Sequence, residues 1–303
     1  MMTNATPPVT LDALLPPAMA QKAEDLGVKK ANLKFWNMFA LAILAGAFIG
    51  VGAIFATTVS AGSMSINTPA AEVAYKTALP YGVTRLLTGL VFTVGLILVI
   101  VGGAELFTGN NLIIMAFMSG KVSLKAILNN WAIVWTGNLI GSMLTALIVF
   151  LGKQYTFGGN AVGLAALSIG NSKCGLTFIQ AVALGIMCNA LVCGAVWMCY
   201  SARTTTDKIL AIIPPISCFV AAGFEHSVAN MYFIPIALYI KYFDPSTYGD
   251  IVTKLNSGKD FVNLTWGNFF IGNLLPVTIG NIIGGAVMVG VVYWFVYLRK
   301  DRP

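Results

Sequence analysis

The chain has 303 residues, of which 57% are hydrophobic and only 10% charged, with a mean hydropathy of +0.82. Soluble domains carry roughly 25% charged residues, so this composition excludes a soluble globular protein and points to a polytopic membrane protein with lipid as its surroundings. The formal net charge of +7 does not indicate nucleic-acid binding, because the basic residues stand at segment ends rather than in a stripe.

The first thirty residues are polar and mixed in charge, without the basic-then-apolar order of a cleavable signal peptide. Leu15 to Lys30 is expected to form a short amphipathic helix on the inner membrane surface. Apolar runs of spanning length, about 20 residues each, follow at Phe35 to Val59, Leu86 to Met118, Trp131 to Leu151, Phe178 to Tyr200, Ile209 to Tyr239 and Phe269 to Tyr297. The chain thus divides into a cytoplasmic N-terminal segment 1–33, a six-helix transmembrane domain 34–299 and a cytoplasmic tail 300–303. An even number of spans puts both termini on one side. Lys22, Lys29, Lys30, Lys34, Lys121, Lys125, Arg203, Lys208, Arg299, Lys300 and Arg302 share it, while Lys76, Arg85, Lys153, Lys173, Lys241, Lys254 and Lys259 fall opposite with Asp244, Asp250 and Asp260. The positive-inside rule then places both termini in the cytoplasm, in the inner (plasma) membrane of the cell.

The second and fifth runs are overlong, and each holds a polar cluster: Glu105-Leu106-Phe107-Thr108-Gly109-Asn110-Asn111, and Gly223-Phe224-Glu225-His226-Ser227-Val228-Ala229-Asn230. An ionisable group at membrane depth is expensive and is a functional hypothesis by default. The third and sixth runs echo each other in Gly137-Asn138-Leu139-Ile140-Gly141 and Gly280-Asn281-Ile282-Ile283-Gly284. Three spans repeated in order reverse their orientation, so the expected fold is an all-α membrane protein with an inverted 3+3 repeat and two broken helices, the breaks marking a central site. These glycines serve either close helix approach or ordinary small-residue packing.

Gly102-Gly103 and Gly109 supply freedom to leave and re-enter a helix. Asn110, Asn111 and Asn230 are candidates to satisfy freed backbone groups. Glu105 and Glu225 can accept from half-helix N-termini; bracing of the breaks is favoured for them over contact with a solute. His226 is the only histidine, and its imidazole can donate a hydrogen bond or a proton near neutral pH. Thr108 offers a hydroxyl in the other break. The five cysteines show no metal-ligand spacing; neither a metal nor a cofactor is expected. A membrane enzyme would need a nucleophile or metal constellation, which one histidine and scattered cysteines do not supply. A water or glycerol channel would carry paired Asn-Pro-Ala motifs, which the chain lacks.

These residues match a family. Leu14-Leu15-Pro16-Pro17-Ala18-Met19-Ala20, Glu105-Leu106-Phe107-Thr108, the stretch Gly223 to Met231, and Leu275-Pro276-Val277-Thr278-Ile279-Gly280-Asn281 through Gly285 resemble the formate/nitrite transporter family along nearly the full chain, nearest to its bacterial formate channels. The resemblance implies an aquaporin-like protomer, a homopentamer with one pore in each protomer, and formate or another small monovalent anion as permeant, moving in either direction with a dependence on pH. By motif, His226 is similar to the central pore histidine and Thr108 to its partner. Lys173, on pattern alone a solvated loop lysine, is similar to the lysine that draws anions inward, and Asn189 to a pore-side asparagine. Phe92, Leu96, Leu106, Phe107 and Phe219 match the greasy constrictions, although pattern alone makes them core residues. Nitrite, hydrosulfide, lactate and acetate channels share the same skeleton. Formate channels of the family often carry histidines just after the lysine, where this chain has Gly175 and Leu176. The N-terminal segment is a further candidate, as a plug of the cytoplasmic mouth at low pH.

Overall fold

The structure, a computed structural model, describes residues 12–61 and 79–299; Lys76 and the tail 300–303 lie outside the described residues. Among the described residues every regular element is helical. Helix α1, Pro16–Ala31, starts with proline in its first turn, where the missing N–H is harmless, and ends on Lys29 and Lys30, which suit the negative end of the helix dipole. It is followed by α2 (Phe35–Ala61), α3 (Tyr81–Gly102), α4 (Phe107–Met118) and α5 (Leu124–Leu151). The second half runs through α6 (Ala161–Cys174), α7 (Phe178–Ser201), α8 (Thr205–Ala222), α9 (Ser227–Phe243), α10 (Pro245–Asp250) and α11 (Asn268–Tyr297). Six of these, α2, α3, α5, α7, α8 and α11, are long and apolar enough to cross a membrane.

The overlong second and fifth runs are each split in two. Gly103 (φ 77°) ends α3 and Gly223 (φ 79°) ends α8, both in the left-handed conformation open to glycine, and the chain re-enters a helix at Phe107 and at Ser227. Gly109, expected at the break, lies inside α4 instead. α5 begins at Leu124 rather than Trp131, because the Ser123 side chain accepts from the Ala126 amide and caps an earlier turn. α6 was not expected: its Ala/Gly/Ser-rich sequence carries too little contrast to show a helical period.

The internal repeat reaches further than three spans. α1 packs on α4 as α6 packs on α9, and α2 packs on α5 as α7 packs on α11. A Cβ at Gly141 would collide with the Ile43 carbonyl, and one at Gly284 with the Ile186 carbonyl. These glycines therefore serve close backbone approach. α3 and α8 pack against each other across the middle. The apolar side of α1 does not face lipid: Met19, Ala20 and Ala23 are buried among Leu112, Met115, Trp197, Tyr200 and Val289. α1 also touches the end of α11, so the two ends of the described chain share one end of the bundle.

Candidate functional site

Each break frees backbone groups that lipid cannot satisfy. One asparagine per half meets them. Asn138 Nδ2 donates to the Ala42 and Glu105 carbonyls at 2.7 and 3.0 Å, and its Oδ1 accepts from the Phe107 amide at 2.9 Å. Asn281 repeats this with the Gly185 and Glu225 carbonyls at 2.8 and 2.9 Å and the Ser227 amide at 2.9 Å. The Glu105 and Glu225 amides donate to Leu41 and Leu184, both at 3.2 Å.

Among the described residues the two glutamate carboxylates accept from side chains rather than from half-helix amides, as bracing groups do. Glu105 Oε1 accepts from Lys30 Nζ and its Oε2 from Asn110 Nδ2, both at 2.7 Å. Asn110 also donates to Asn130 at 3.0 Å, and Asn130 to the Lys30 carbonyl at 3.1 Å. In the second half Lys173 Nζ and Asn230 Nδ2 both donate to Glu225 at 2.7 Å; Asn230 also donates to Asn273 at 2.7 Å, and Asn273 to the Lys173 carbonyl at 2.9 Å. Asn110 and Asn230 thus bind carboxylates, not freed backbone. The halves differ in one detail: Lys30 donates also to Asn110 Oδ1 at 3.0 Å, whereas Asn230 Oδ1 is buried without a partner. Lys173 is no loop lysine. It stands in the last turn of α6, which places it against Glu225.

Between the clusters Thr108 Oγ1 and His226 Nε2 are 3.0 Å apart, both side chains buried. His226 is the N-cap of α9, its Nδ1 accepting from the Ala229 amide at 3.0 Å. A ring that accepts at Nδ1 and is neutral carries its proton on Nε2, so His226 donates to Thr108 and leaves the threonine hydroxyl proton for another acceptor. The exact counterparts in the repeat are unlike: His226 falls where the first half has Leu106, and Thr108 where the second has Val228. The polar bridge is therefore formed once, off the symmetry of the frame.

A cavity lies on either side of this bridge. One, of about 390 Å³, is lined by Phe92, Phe219, Phe233, Lys173, Glu225 and His226 among others. The other, of about 560 Å³, is lined by Lys30, Glu105, Leu96, Leu106, Val99 and Tyr200 among others. Phe92 and Phe219 meet edge to face at 5.6 Å, and Phe219 lies over the His226 ring at 5.9 Å. Phe92, Phe219, Lys173, Glu225 and His226 thus border the first cavity and Leu96 and Leu106 the second, while Thr108 borders neither and is held to His226 by the bridge. Three other expected residues stand back from the cavities. Phe107 packs edge-on against Trp131 and borders neither cavity. Asn189 donates to the Thr108 and Asn281 carbonyls and to Asn111, fixing the threonine from behind. Asn230 braces Glu225.

Lys30, Asn130, Asn138, Asn273, Asn281 and Phe233 are site residues that sequence reasoning did not assign. The signal for Asn138 and Asn281 is their shared place in the two Gly-Asn-x-x-Gly stretches. Pairing Lys30 with Lys173 in the same register would have found the first lysine. Among the described residues no three His, Cys, Asp or Glu side chains group to hold a metal ion.

The sequence matches the description "Formate/nitrite transporter" over residues 17–295. It is 41% identical over 290 residues to the formate channel FocA of Escherichia coli strain K12, covering 96% of each chain. Identity to FocA of Haemophilus influenzae is 36% over 282 residues, covering 92% of this chain and 93% of that one. Among solved structures, a pentameric formate channel with formate bound superposes with a TM-score of 0.76 at 44% identity, over 88% of this chain and 98% of that chain. An FNT family ion channel superposes with a TM-score of 0.73 at 27% identity, over 92% and 98%.

Proposed function

This chain belongs to the formate/nitrite transporter family, and from that premise we propose that it is a channel for formate, assembled as a homopentamer with one passage per protomer, in a plasma membrane with both termini cytoplasmic. The observation that carries this reading is the Thr108–His226 bridge, a pair of donors at the meeting of two half-helices between two lysine-lined cavities.

The aromatic and aliphatic collar on either side of that bridge sets the chemistry. Moving a bare carboxylate into such surroundings costs tens of kcal/mol on a Born estimate. Protonating an acid of pKa near 4 at pH 7 costs about 4 kcal/mol, at roughly 1.4 per unit. The solute therefore crosses the centre as the neutral acid. A carboxylate arriving between Thr108 and His226 takes the Nε2–H and the hydroxyl in place of their mutual bond. A second ring proton would have to enter at Nδ1 and displace the Ala229 amide, so His226 serves as a hydrogen-bond donor while the proton itself comes from cavity water. Both cavities hold a Lys–Glu pair, and the passage runs in either direction with the prevailing gradient.

The test is flux in proteoliposomes. His226→Phe is expected to remain assembled and to lose proton-coupled formate uptake; formate flux with an unchanged pH dependence would overturn the reading. Comparison of formate, nitrite, hydrosulfide and lactate uptake in the wild type should rank formate first.

A further inference from the structure

The two cavities differ in where their positive charge stands. Besides the Lys30–Glu105 pair, Lys22, Lys29 and Lys208 line one of them. Among the described residues the other has only Arg85, Lys173 and Glu225 as fully charged lining residues, and two of these form an ion pair at 2.7 Å. A pair that tight presents a dipole, and its potential falls off faster with distance than that of a single charge. The lysine side chain is also only 16% exposed.

Arg85, on α3, is in a different position. Its Nε donates to the Ala221 carbonyl at 3.0 Å and its Nη2 to the Val220 carbonyl. Those carbonyls end α8 at the break, where the helix dipole is negative and would repel an anion. A Cβ on Gly223 would lie 3.4 Å from Nη2, so the guanidinium sits at the break itself. Among the described residues no ion pair joins Arg85 to a carboxylate. Among the described residues the first half has no matching cation at its break: a Cβ at Gly103 would meet nothing within 4 Å, and the repeat places Thr205 opposite Arg85.

We propose that Arg85, not Lys173, supplies the net attraction that brings a small monovalent anion into this cavity, by covering the carbonyl end of α8 and leaving one positive charge unbalanced. Lys173 then holds Glu225 and, through it, Asn230 and Asn273. The inference rests on the reading of the chain as an anion channel.

Initial formate uptake against concentration, at low and high ionic strength, tests it in proteoliposomes of the full-length protein. Arg85→Gln is expected to raise the half-saturating concentration about three- to tenfold at low ionic strength. The difference should shrink at high salt, and Arg85→Lys should restore most of it. Ser172→Glu, which cancels the charge from the cavity wall with the Arg85 bonds intact, should give a similar rise and keeps the test open if Arg85→Gln does not assemble. An unchanged half-saturating concentration in these variants overturns the proposal. So does a rise that ignores salt and is not rescued by lysine, which would make Arg85 a staple for α8 alone. A wild type that conducts no formate defeats the channel reading instead; titration of the same purified proteins with formate then decides the role of Arg85.

Discussion

At the scale of single residues, the site separates side chains that border the cavities or form the Thr108–His226 bridge from those that hold them. His226 does both, since its Nδ1 caps α9 while Nε2 meets Thr108. His226→Phe should therefore also lower stability by about 1 kcal/mol through the lost cap, seen as a modest drop in Tm. Asn281→Leu belongs to the second class. It strands two carbonyls and an amide of the break, and a loss of about 3 kcal/mol in thermal unfolding is expected. Lys173→Ala leaves the buried Glu225 carboxylate without its cation, with a loss of about 3 kcal/mol. Adding Glu225→Gln to that variant should recover part of it in the same melting assay; no recovery would mean that the pair is not the brace described.

At the scale of elements, α1 is held by a polar latch as well as by its apolar side. Glu24 accepts from Ser119, Lys121 and Gln21, and Trp294 on α11 donates to the Ser119 hydroxyl at 3.0 Å. Burial alone would raise the Glu24 carboxyl, but the bonds from Lys121, Ser119 and Gln21 outweigh it and hold the group below its usual range. A lowered carboxyl contributes docking energy above the ordinary glutamate value of about 4.3 and loses it as the pH falls through the lowered one. α1 is thus expected to stay docked from pH 7 to 5 and to loosen only below about pH 4. Hydrogen exchange of residues 16–31 across that range checks this, and Glu24→Gln should speed exchange roughly tenfold at pH 7. An acid plug working at milder pH would have to act through other groups. Between α2 and α5, Gly141→Leu has no room beneath the Ile43 carbonyl; little folded protein should reach the membrane, as gel filtration would show.

At the scale of the whole molecule, one frame is used twice with different fillings. The matched breaks, asparagines and Lys–Glu pairs make the frame, and the halves differ at His226 against Leu106, Thr108 against Val228 and Arg85 against Thr205. Much of this was legible. The spans follow from hydropathy over segments of membrane length. The breaks follow from carboxylates and glycines in runs too long for a single crossing, and His226 and Thr108 stood inside them. The helix α6 was hidden because a small-residue sequence shows no amphipathic period. Phe107 and Asn189 are expected at the passage by resemblance alone, and only the packing shows that the first meets Trp131 and the second the Thr108 and Asn281 carbonyls.

Chain order alone determined that this protein crosses a membrane, where its helices break and which ionisable groups lie at depth, because lipid penalises unpaired polar groups wherever the rest of the chain happens to be. Tertiary structure alone decided the partners. Lys30 reaches Glu105, Lys173 reaches Glu225, Asn138 and Asn281 close the two breaks, and Thr108 meets His226 across 118 residues of sequence. Hydrogen bonds and ion pairs act over about 3 Å, and only the packing of the two halves brings such distant residues within that range.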